Sequence, residues 1–90
     1  MTKITIGADY IKISGHAPEK VVCHGISAIS QMVANYVEQW NWGNVERADG
    51  YLFIYDVQER YRGSPLFQAM VSGLKDIEAE YPGNIEFEYV

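Results

Sequence analysis

Residues 15–23, Gly-His-Ala-Pro-Glu-Lys-Val-Val-Cys, place the chain's single cysteine seven positions after a histidine. A thiol beside an imidazole is a pair for nucleophilic catalysis: the ring takes the proton and the thiolate attacks an electrophilic carbon. Gly15 allows unusual backbone angles next to His16. Cys23 falls near the N-terminus of an expected helix, where unpaired backbone N–H groups and the helix dipole favour a thiolate. The same N–H groups could receive the negative oxygen of an acyl-transfer intermediate. Each residue also has a plainer reading. A lone cysteine on an apolar helix is usually an inert small hydrophobe, and His16 could simply cap or hydrogen-bond the turn. Ser27, one helical turn beyond Cys23 on the same face, could hydrogen-bond within a site or back-bond to its own helix.

Metal binding is the other chemistry open to His16, Cys23 and His24. Cys23 and His24 are adjacent and project about 100° apart on a helix, and no clear fourth ligand lies nearby, so no metal site is expected. His24 reads as a surface residue. Glu78, Glu80, Glu86 and Glu88 read as a solvated acidic face, with no firmer role than attraction for a basic partner. Tyr55, Tyr61, Trp40 and Trp42 could line a groove or a dimer surface, although core packing is the default for such residues.

The elements that must position these groups follow from hydrophobic periodicity. Residues 3–6 and 10–14 alternate apolar and polar residues, and Gly7-Ala8-Asp9 between them supplies a turn, so a hairpin is expected. From about Lys20 to Trp40 the period lengthens: Val22, Ile26, Ile29, Val33, Val37 and Trp40 draw one helical stripe, with Pro18 just upstream suited to a helix start. Strands around 45–48 and 51–57 are joined by Asp49-Gly50, a strong hairpin signal because both turn positions need positive φ. The second of these strands is apolar on both faces, which suits a central strand or one that also meets a partner subunit. Ser64 and Pro65 start a second helix, as N-cap and first helical residue. Its buried stripe is Phe67, Met70, Leu74, Ile77 and Tyr81, and Pro82-Gly83-Asn84 ends it. Residues 85–90 close the chain as a strand with Ile85, Phe87 and Tyr89 on one face. The expectation is an α+β fold of two layers, ββ-α-ββ-α-β in order, with two helices packed on a mainly antiparallel sheet.

With 90 residues, the chain reads as one domain, residues 1–90. A net charge of −5 disfavours both a nucleic-acid binder and a polybasic membrane module. One cysteine forbids an internal disulfide. The longest apolar run, Tyr51–Tyr55, is far short of the ~20 residues of a membrane span, and no signal pattern opens the chain, so a cytoplasmic protein is expected. So short a chain leaves a modest stability margin, which a subunit interface could widen.

The joint pattern of Gly15-His16-Ala17, Val21-Val22-Cys23 and Ser27-Ala28 resembles the signature of the ribosomal-processing cysteine proteases, the Prp or YsxB-like family. Residues 74–85, Leu-Lys-Asp-Ile-Glu-Ala-Glu-Tyr-Pro-Gly-Asn-Ile, resemble that family's closing helix and strand, so the likeness spans nearly the whole chain. It implies an α+β homodimer whose cysteine endopeptidase activity removes the N-terminal extension of a large-subunit ribosomal protein. Carried over, Cys23 is the nucleophile, His16 the general base, and Ser27 and Gly15 are supporting residues; no cofactor is implied. The loop from His16 to Cys23 is several residues shorter than in well-studied members, and Lys20 stands where they carry Asp three residues before the cysteine. A short loop could remove a lid over the substrate. Lys20 favours a thiolate electrostatically but cannot orient an imidazolium as Asp could. With no Asp or Asn placed beside His16, a Cys/His dyad is expected rather than a triad. The alternatives are a non-catalytic dimeric module that grips an extended peptide, or a protease for a phage assembly protein.

Overall fold

Ile4, Ile11, Ile13, Leu52 and Ile54 all lie on one side of a single sheet and are buried there. The computed structural model describes residues 1–90. Its order is β1 (Thr2–Ile6), β2 (Ile11–Ser14), α1 (Lys20–Gln39), β3 (Asn44–Ala48), β4 (Tyr51–Tyr55), a short 3-10 turn (Glu59–Tyr61), α2 (Pro65–Glu80) and β5 (Ile85–Tyr89). The sheet runs β3-β4-β2-β1-β5. All neighbours are antiparallel except β1 and β5, which pair in parallel from Thr2↔Ile85 to Ile6↔Tyr89. Both helices cover the same face, giving the expected two-layer α+β arrangement.

β4 is interior, between β3 and β2, as its doubly apolar sequence suggested. Leu52 and Ile54 face the helices, while Tyr51, Phe53 and Tyr55 lie half-buried on the open face. There Phe53 stacks on Tyr55 at 4.7 Å and meets Tyr10 edge-on at 5.8 Å, so the aromatics shield one another. The strand stops at Tyr55, two residues short of the expected limit, because Asp56 turns to φ 52.

In α1, Val22, Ile26, Val33 and Val37 are buried with Ser30 and Ala34. Ser30 is tolerated there because its hydroxyl donates to the Ile26 carbonyl at 2.6 Å. Trp40 does not extend the stripe: it is the C-cap residue and 57% exposed. Asn41, at φ 54, reverses the chain, so it is Trp42 that folds back, stacking on Tyr61 at 4.1 Å. Pro18 lies outside the helix, one residue before the N-cap Glu19. In α2 the Ser64 side chain accepts from the Phe67 N–H with Pro65 as the first helical residue. Phe67, Met70 and Leu74 are buried, whereas Ile77 and Tyr81 are half-buried. The two helices interlock: Ile77 packs over Gly25 and Ile29 over Gly73, where a Cβ would come within 3.1 and 3.2 Å. On β5, Ile85 is buried but Tyr89 is exposed, lying beneath the Lys75 ammonium at 5.1 Å. No helix is long and apolar enough to cross a membrane.

Candidate active site

β2 ends at Ser14, and Gly15 turns at φ 87, a conformation that L side chains resist. A Cβ at Gly15 would also lie 2.8 Å from the Met1 carbonyl oxygen. The chain therefore leaves the sheet at once, and His16 emerges at the mouth of a cavity of about 160 Å³ between α1 and the β2 and β4 ends of the sheet. Gly15, His16, Cys23 and Ser27 all line this cavity. Its buried lining mixes Ile13, Ile26 and Leu52 with Thr2 and Ser30.

Cys23 is half-buried in the first turns of α1. Its thiol donates to the Ala17 carbonyl at 3.3 Å, so in this conformation it hydrogen-bonds the loop backbone and not the imidazole. The Glu19 carbonyl accepts from the N–H groups of both Val22, at 3.1 Å, and Cys23, at 3.2 Å. Those two amides are thus spent on the helix. The N–H groups of Lys20 and Val21, which have no intrahelical acceptor, remain as the donors that could meet an oxyanion. Ser27 is exposed at the cavity, and the serine that back-bonds within α1 is Ser30. His24 is exposed and outside the cavity, and no group of three His, Cys, Asp or Glu side chains is arranged to hold a metal ion.

Three residues that the sequence reading did not assign to the site position it. Asn84, buried just before β5, accepts from the Glu19 N–H at 3.2 Å and donates to the Glu19 carboxylate at 2.8 Å. Its amide also donates to the Tyr81 carbonyl at 2.9 Å, so its polar atoms are satisfied. This clamps the N-cap of α1, and with it the short loop after His16, to the far end of the sheet. Arg47 on β3 donates to Gln31 and Asn35, each at 2.8 Å, and pairs with Glu38 at 2.8 Å. The Arg47 guanidinium hydrogen-bonded to Glu38 holds that carboxyl below its ordinary range. These contacts tie the edge hairpin to the helix that carries Cys23. Asp49, in that hairpin's turn, brings its carboxylate to 3.8 Å from His16 Nε2. Asp49 thus stands near His16, where no Asp or Asn could be placed from the sequence. Asp49-Gly50 was legible as a turn, but nothing in its local pattern shows where the turn lands.

The acidic stretch also divides. Glu78 is no part of a free acidic face: its carboxylate accepts from the Gly83 N–H at 2.9 Å and the Ile85 N–H at 2.8 Å, closing the α2–β5 connection. Those amides, Gly83 first, hold its carboxyl below the ordinary value.

Comparisons with known proteins bear on the family and the fold. Among solved structures, the essential ribosomal processing protease Prp from S. aureus with a covalently linked product peptide superimposes with a TM-score of 0.85. It is 25% identical, over 100% of both chains. The same protease with a substrate peptide gives 0.85 at 23% identity, again over 100% of both chains. SMU.848 from Streptococcus mutans gives 0.74 at 18% identity, over 100% of this chain and 94% of the other. The last two likenesses speak to the fold alone. No curated protein matches the chain. The family profile described as cysteine protease Prp matches residues 1–86, nearly the whole sequence, and the chain belongs to that family.

Proposed function

We propose that this protein is a cysteine endopeptidase in which Cys23 is the nucleophile and His16 the general base. The observation that carries the reading is the convergence of Gly15, His16, Cys23 and Ser27 on one open cavity in a chain of the Prp family. The thiol first exchanges the Ala17 carbonyl for the imidazole. Sγ then bonds to the scissile carbonyl carbon as its proton passes to His16, and the carbonyl oxygen takes the negative charge at the helix start. The tetrahedral species breaks its C–N bond while His16 returns the proton to the leaving amine. Water hydrolyses the remaining thioester, with His16 again taking and returning a proton. Gly15 and Ser27 are supporting residues, and the chemistry uses no cofactor.

The substrate class follows from the relatives. The matching S. aureus protein is a ribosomal processing protease with bound substrate and product peptides. By that likeness the substrate here is an extended N-terminal segment of a ribosomal protein, cleaved in the cytoplasm. The test is incubation with such a precursor and mass analysis of the products. Cleavage by the parent and none by Cys23→Ala supports the mechanism; cleavage by Cys23→Ala sinks it. A precursor retained intact by both forms favours a peptide-binding module instead.

A homodimer is part of the same reading, and the outer face of α1 suits it. Val21, Met32, Tyr36 and Trp40 are exposed along it, and no Asp, Glu, Lys or Arg lies between Lys20 and Glu38. Two copies each carrying −5 repel least where few charges meet, and the exposed Val21, Met32, Tyr36 and Trp40 stripe carries none, the nearby Arg47 being paired with Glu38. Twenty residues make a helix about 30 Å long, enough for a self-complementary two-fold contact.

A further inference from the structure

We infer that Asp49 is the positioning residue of this site: its carboxylate holds the Nε2 side of His16, so that Nδ1 is the nitrogen that exchanges a proton with Cys23. The inference rests on the protease reading and goes beyond it.

The geometry is that of a ring laid on a turn. His16 Nε2 lies 3.8 Å from Asp49 Oδ2, and this is the one ion pair either residue makes. The ring edge carrying Nε2 rests against Gly50, where an added Cβ would stand 2.6 Å from Nε2 and 3.0 Å from Cε1. The Nε2 edge of the ring thus faces the turn, and on this inference Nδ1 is the nitrogen that serves the thiol once it leaves the Ala17 carbonyl. The turn itself is fixed from two directions. The Gly15 N–H donates to the Gly50 carbonyl at 2.9 Å, which ties it to the residue just before His16. Arg47, two residues before Asp49, is fastened to Gln31, Asn35 and Glu38 on the helix that carries Cys23.

A carboxylate facing Nε2 favours the tautomer with its proton there, which leaves a lone pair on Nδ1. When the Cys23 proton moves to Nδ1, the ring becomes a cation and the facing carboxylate stabilises it. No bond to Asp49 forms or breaks, so it acts through His16 alone. The 3.8 Å separation is longer than a hydrogen bond, and catalytic contacts commonly tighten only with substrate in place. The one carboxylate in the loop, Glu19, is held by the Asn84 amide at 2.8 Å, and its neighbour Lys20 is a cation.

The test is the second-order rate of iodoacetamide alkylation, which reads Cys23 alone because the chain has one cysteine. Parent, Asp49→Asn, Asp49→Glu and His16→Ala are compared at pH 7 in low salt. Asp49→Asn should react about three- to tenfold more slowly than the parent, Asp49→Glu should recover most of the rate, and high salt should narrow the gap between parent and Asp49→Asn. The Asp49 side chain is fully exposed, so neither Asp49 change should move the thermal midpoint, and a merely structural role would not give rescue by Glu. An Asp49→Asn rate equal to the parent's, with His16→Ala still slow, overturns the inference and leaves the protease reading standing. A parental rate in His16→Ala as well removes the protease reading itself.

Discussion

Asn84 and Glu19 hold each other at two points: the asparagine accepts from the Glu19 N–H and donates to the Glu19 carboxylate. They are far apart in the chain, yet this contact sets where α1 begins. Glu19 is the N-cap residue, and its side chain makes no capping bond to its own helix. The work of anchoring the helix start thus passes to a buried amide just before β5, and the loop from His16 to Cys23 inherits its position from there.

Asn84→Ala should therefore do two things at once. It removes three part-buried hydrogen bonds to Glu19 and Tyr81, partners that water can partly re-solvate, costing about 1 kcal/mol in urea unfolding. It should also change the alkylation rate of Cys23, although no atom of Asn84 lines the cavity. A stability loss with an unaltered rate would show that the loop holds itself.

Gly50→Ala tests the close approach of turn and imidazole. The backbone there has φ 63, and the new methyl would press on His16. A stability cost of about 1 kcal/mol and an alkylation rate falling toward that of His16→Ala are expected. Gly83→Ala is the control, because Gly83 also has positive φ but nothing within 4 Å. It should show the backbone cost and keep the parental rate.

Glu78 makes the fold acid-sensitive in a defined direction. Its carboxyl titrates lower in the folded chain than its ordinary value of 4.5, because backbone N–H groups favour the ionised form. A depressed folded value contributes stability that is fully present above about 4.5 and lost as pH falls through the folded value. Thermal unfolding should show Glu78→Gln below the parent near neutral pH, with the gap closing in acid. A gap unchanged across that range would remove the assignment.

The proposed dimer surface can be tested without touching the site. Met32→Glu puts a like charge at the middle of the α1 outer face in both copies. Sedimentation should find the parent dimeric at micromolar concentration and the variant monomeric, with the helical spectrum unchanged. A parent that is monomeric at that concentration withdraws the dimer; a variant that stays dimeric moves the interface elsewhere, with the half-buried Tyr51, Phe53 and Tyr55 face as the next surface to test.

Local rules were enough for much of this molecule. Ser64 before Pro65 starts α2 because a hydroxyl acceptor and a fixed φ suit a helix N-terminus wherever they occur. Asp49-Gly50 turns the chain because glycine accepts positive φ. The Gly15–Cys23 motif, with Ser27 a turn later, was sufficient to name the family. What periodicity shows is that a residue has an apolar side, not what covers it. Trp40 and Trp42 therefore look alike in sequence, and only the reversal at Asn41 decides that Trp42 packs while Trp40 meets water. The same limit hid the parallel β1–β5 pairing, which is set by where α2 delivers the chain. Asp49 beside His16 and Asn84 beside Glu19 are contacts between segments remote in sequence. Side-chain partners at such separations depend on how the layers pack, so these two pairs, which position the cysteine and histidine, belong to the tertiary structure alone.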